Sequence, residues 1–164
     1  MAHIWCINNW EDYIDTTAPT HRSGLRMHYE KGVNPEVHTA LSQFANWLRD
    51  EFTFPLRVNV YVKDACRIKA TDGDLVVGTT WRPYDYANYP YIRLATGDYW
   101  ELVAERGKEQ AIIAILHTFA HELTHYFQHI NNLQLTAIGE ERQATVYANY
   151  ILSDYTESRQ GTNF

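Results

Sequence analysis

The strongest chemical signal in the chain is the run His121-Glu122-Leu123-Thr124-His125. Residues four apart on a helix stand one above the other, so two imidazoles at this spacing can reach one cation. Zinc takes imidazole nitrogens at about 2.0–2.1 Å. Glu122 projects to the side of the pair. A carboxylate placed there can take a proton from a water that the metal polarises and later pass it to a leaving amine. His121 and His125 are therefore read as zinc ligands and Glu122 as a general base.

A catalytic zinc usually has three protein ligands and one open position, so a third donor is needed. The downstream candidates are His129, Glu140 and Glu141. His129 continues the row His117, His121, His125, but positions eight apart on a helix are separated by about 12 Å, too far to share an ion with His121. His117 and His129 are read as flanking groups. Glu141 is preferred. On a helix, Glu141, Ala144, Thr145 and Ala148 share one face, and its small residues permit close approach to the first helix. Thr145 stands where it could support a ligand by a hydrogen bond. Glu140 is read as a solvated acid at a helix N-terminus, where the dipole favours it.

These side chains need helices to carry them. From about Lys108 to Ile130, Ile112, Leu116, Phe119, Leu123, Phe127 and Ile130 form one apolar stripe, turned away from the histidines. Asn131 and Asn132 fit the end of that helix. A last helix is expected from 139 or 140 to 154, with a polar, frayed tail over 155–164. Val37, Leu41, Phe44, Ala45 and Leu48 predict a helix over Pro35–Glu51, with Asn34 as N-cap and Pro35 in the first turn. Residues 57–63 alternate as a strand does. Further strands are expected over 25–31, 75–81 and 91–95, with a turn at Asp72-Gly73-Asp74 and a tyrosine-rich loop over 83–90. Residues 1–34 open with a short strand and an arm lying on the domain. Tyr84, Tyr86, Tyr89, Tyr91 and Tyr99 either pack or line a substrate cleft, where one could donate to an oxyanion.

Composition sets the outer bounds. A chain of 164 residues, 45% hydrophobic and 21% charged, suits one compact domain over 1–164. A formal net charge of -6 argues against a general nucleic-acid binder. No apolar run is long enough for a membrane span, and the start lacks a signal-peptide pattern, so a cytoplasmic location is expected. Cys6 and Cys66 are too few for a disulfide scaffold and are read as reduced thiols, Cys6 as a buried one.

His-Glu-Leu-Thr-His at 121–125, followed by Glu-Arg-Gln-Ala-Thr-Val-Tyr-Ala at 141–148, resembles the gluzincin metallopeptidases. Within them it is most similar to the small IrrE/ImmA-like and minigluzincin groups. The resemblance covers about residues 109–153. The spacing from the histidines to Glu141 is short, and Thr145 stands where these families often carry Asn or Asp. The resemblance implies an α+β, zincin-like fold: a small mixed twisted sheet, a backing helix, an active-site helix and a C-terminal helix carrying the Glu ligand. It implies a zinc-dependent endopeptidase whose peptide or protein substrate is bound along an edge strand, expected to be 91–95. The alternative is a catalytically silent zincin-like domain that binds a protein or peptide without cutting it.

Overall fold

The computed structural model describes residues 3–160 and is α+β, with a mixed sheet and four helices. Helix α1, Pro35–Glu51, begins where the sequence places it. The Asn34 side chain accepts a hydrogen bond from the Glu36 backbone N–H at 2.8 Å, and Pro35 needs no donor at the first turn. Its buried residues are Val37, Leu41, Phe44, Ala45 and Leu48, the five that set the helical period.

The main sheet has four strands: β1, Leu25–Tyr29; β2, Val58–Lys63; β5, Gly78–Trp81; and β6, Tyr91–Ala95. Their order is β1-β2-β6-β5. The first three run parallel, and β5 runs antiparallel to β6. Strand β2 alternates, burying Val58, Val60 and Val62. These valines join Ile92, Leu94 and residues of α1 and of helix α3, Lys108–Ile130, in one hydrophobic core.

The segment 75–81 is two strands rather than one. Strand β3, Ile68–Lys69, and strand β4, Leu75–Val76, form a small hairpin closed at the predicted turn, where Gly73 has φ +94°. Beyond it β5 pairs with β6. This overturns one expectation: 91–95 is an interior strand, because β2 takes one of its sides and β5 the other. The open edge beside α3 is β5.

Helix α2, Tyr99–Arg106, is unforeseen, a short element that leads through Gly107 (φ +85°) into α3. Helix α4, Ala137–Gln160, starts earlier and ends later than expected. Tyr155 is buried against Phe44 and Trp47 at ring distances of 4.8 and 5.1 Å, so the helix is anchored where fraying was expected. Residues 161–164 of the expected tail lie outside the described residues. Within 3–24 there is no strand among the described residues, only turns and a 3-10 helix over Asn9–Asp12. Among the described residues no helix is long and apolar enough to cross a membrane.

Candidate metal centre

Three anchors fix α3 from behind. Tyr126, fully buried, donates its hydroxyl to the Leu56 carbonyl at 2.6 Å and accepts from the Leu56 N–H at 3.2 Å. Trp5, 2% exposed, donates its indole N–H to Thr124 Oγ1 at 3.0 Å. The Trp10 N–H reaches Asn131 Oδ1 at 3.1 Å. The N-terminal arm is thus a strap across the back of the His-Glu-x-x-His helix. On its other flank α3 meets α4, whose Ala144 and Ala148 are fully buried. Small side chains at that contact let the two backbones approach, as the sequence requires. The chain reverses between the helices through Asn132, at φ 50°, and the Leu133 N–H closes on the Gln128 carbonyl at 3.1 Å.

This packing brings His121, His125 and Glu141 together. His121 Nε2 lies 3.0 Å from Glu141 Oε2, and His125 Nε2 lies 3.0 Å from Glu141 Oε1. One ligand atom from each residue falls within a common 4.8 Å. Ligands of a tetrahedral zinc stand roughly 3.3 Å apart, between the 3.0 Å contacts and the 4.8 Å limit of this cluster, and two imidazoles with a carboxylate are donors of the kind such an ion takes.

The hydrogen bonds behind His125 sharpen this fit. Gln128, 2% exposed, directs its Nε2 at the Glu140 carbonyl and at Gln143 Oε1, both at 3.0 Å. A carbonyl only accepts, so that atom must be the amide nitrogen. Gln128 Oε1 therefore faces His125 Nδ1, at 2.8 Å, and Nδ1 carries the proton. In the neutral ring Nε2 then presents a lone pair to the Glu141 carboxylate, another acceptor. Two acceptors 3.0 Å apart need a cation between them, a proton or a metal. On His121 the proton is disfavoured: burial, then the neighbouring His125, lowers its pKa against the opposing pull of Glu141.

Glu122 is 7% exposed. Burial raises its pKa, partly offset by His125 and by a hydrogen bond from Thr80. The Thr80 hydroxyl lies 2.8 Å from Glu122 Oε1 and 3.1 Å from the Glu122 carbonyl. The strand carrying Thr80 can come this close because position 78 is glycine. A Cβ on Gly78 would stand 2.7 Å from Thr118 Cγ2 and 3.2 Å from Glu122 Cγ.

An open cleft of about 630 Å³ runs between β5 and the helices, with His121, Glu122, His125 and Glu141 on its walls and Arg67 and Arg82 at its rim. The Ala95 N–H bonds the Val77 carbonyl at 2.8 Å, so Val77 and Ala95 are a hydrogen-bonded pair. Such pairs alternate along an antiparallel ladder, which turns the backbone N–H and C=O of Gly78 and Thr80 outward, along the open edge.

All four sequence-predicted site residues line the cleft. The flanking histidines stay out of the metal cluster. His117 Nε2 bonds Asn149 Oδ1 at 3.0 Å, and His129 Nε2 is buried with no partner among the described residues. Glu140 pairs with Arg82 at 3.1 Å. Thr145 is exposed and makes no side-chain hydrogen bond to His121, His125 or Glu141 among the described residues; Gln128 bonds His125 instead. None of the five tyrosines lines the cleft. Tyr86 donates to the His129 carbonyl, Tyr89 to the Thr20 carbonyl and Tyr99 to Glu36, which makes these three packing residues. Cys6 is an exposed free thiol, not a buried one. Gln128 had a sequence signal, lying three residues after His125 on the same helix. Thr80 had none, since its partner is 42 residues away.

No protein-family model matches the chain, and neither a curated protein nor a solved structure matches it.

Proposed function

We propose that this chain is a zinc-dependent endopeptidase of the zincin-like, gluzincin type. His121, His125 and Glu141 are its metal ligands and Glu122 its general base. The observation that carries this reading is the convergence of two imidazole nitrogens and a carboxylate, with a buried second carboxylate beside them, in a cleft bordered by an open sheet edge. A closed structural site would need a fourth protein ligand, and the described residues offer three.

The chain's own residues divide the work. The outward backbone groups of Gly78 and Thr80 pair with an extended peptide and lay its scissile bond across the cleft. A zinc ion, when bound, supplies a Lewis acid for the carbonyl and makes a water molecule acidic enough to attack near neutral pH. Glu122 would take a proton from the attacking water and deliver it to the departing nitrogen. Gln128 keeps His125 in the tautomer that offers Nε2 to the metal.

The test is cleavage of an internally quenched random peptide library by the zinc-loaded chain and by Glu122→Gln. The expected result is cleavage by the wild type and none by the variant, with zinc content equal in both. Equal cleavage by the two proteins would remove Glu122 from the mechanism. A zinc-loaded wild type that cuts nothing would count against the hydrolase.

A further inference from the structure

Thr80 occupies an unusual position. Its backbone groups point out along the open edge of β5, while its side chain points inward to the carboxylate of Glu122. The one hydroxyl proton faces Glu122 Oε1 at 2.8 Å and the Glu122 carbonyl at 3.1 Å, with Oε1 the nearer acceptor, whereas Oε2 takes no hydrogen bond among the described residues. Oε2 lies beside Gly78, where an added Cβ would stand 3.4 Å from it. A carboxylate swings about its last torsion, a broad and soft one, unless something holds it. Here one oxygen is held and the other is left open.

We propose that Thr80 is the positioning residue for Glu122. Its hydroxyl holds Oε1 so that Oε2 faces the metal site, and the strand that receives the substrate therefore also sets the base. The assignment rests on the hydrolase reading above. Thr80 touches no reacting atom. Because a peptide would meet its backbone and not its hydroxyl, removing the hydroxyl affects turnover and spares substrate binding.

Two variants separate positioning from mere packing. Thr80→Val keeps the shape and loses the hydroxyl, and Thr80→Ser keeps the hydroxyl. On the peptide that the wild type cleaves best, Thr80→Val should lose about 10–100-fold in kcat with KM within about twofold, and Thr80→Ser should recover most of it. A second readout needs no turnover. Acetohydroxamate, whose acidic hydroxyl hydrogen-bonds a correctly placed base, is titrated into the Co²⁺-substituted chain and followed by the cobalt absorption bands. Thr80→Val should bind it about tenfold more weakly, with Co²⁺ affinity unchanged and Thr80→Ser near wild type. Unchanged kcat and hydroxamate affinity in Thr80→Val would overturn the assignment. So would parallel losses of Co²⁺ affinity and melting temperature in both variants, which would mark Thr80 as a strand anchor only. A wild type that binds Co²⁺ and hydroxamate but cleaves no peptide would sink the hydrolase reading alone, and the hydroxamate titration would still judge Thr80.

Discussion

Gln128 decides which nitrogen of His125 carries the proton, and so which one is free for a metal. Its amide is fixed by two acceptors, the Glu140 carbonyl and Gln143 Oε1. Replacing it by Leu removes the orienting bond and leaves His125 free to turn or to change tautomer. Zinc affinity of Gln128→Leu is expected to fall about 10–100-fold, measured by competition with a chromophoric chelator. Equal affinity would mean that packing alone orients the ring. At this scale the local part of the site was legible. His121, Glu122 and His125 lie on one helix, where spacing determines geometry. Glu141 was reachable because a face of small residues announced the second helix. Thr145 shares that face but points to solvent, since sequence gives the face and not how far around it the neighbouring helix extends.

The elements were legible where a pattern is complete within them. Helix α1, with its cap and its five buried positions, and the alternating β2 follow directly from residue order. Strand neighbours do not. Alternation in 91–95 says which residues face the core, but not that β5 would fold back to pair with it and take over the edge. The helix α2 was missed because eight residues hold too few turns to establish a period. The close seat of β5 on α3 has a measurable consequence. Gly78→Ala places a methyl 2.7 Å from the Thr118 side chain, so that side chain, the strand or the helix must shift. A loss of about 1–3 kcal/mol in urea unfolding is expected, with weakened catalysis because Glu122 is displaced. A variant as stable and active as the wild type would show that the contact is soft.

For the whole molecule, the N-terminal arm, the sheet and α4 close on α3 from different sides, which buries polar groups along with the apolar core. His129 is half-buried, with its Nε2 atom fully enclosed. Burial, reinforced by the Arg82 charge, pushes its pKa down from 6.5 to about 4. The folded state therefore refuses a proton that the unfolded chain accepts. Stability from this source is complete above about pH 6.5 and is lost as pH falls toward about 4. In the metal-free protein the urea midpoint should drop between pH 7 and pH 4.5, and His129→Gln should flatten part of that drop. A variant with the wild-type slope would place the acid sensitivity elsewhere.

Whether His121, His125 and Glu141 form one metal site is decided by bound zinc per chain in the wild type and in Glu141→Ala. About one zinc per wild-type chain after mild purification, and a large loss in the variant, is the expected result. No zinc in the wild type, or full retention without Glu141, would contradict the site.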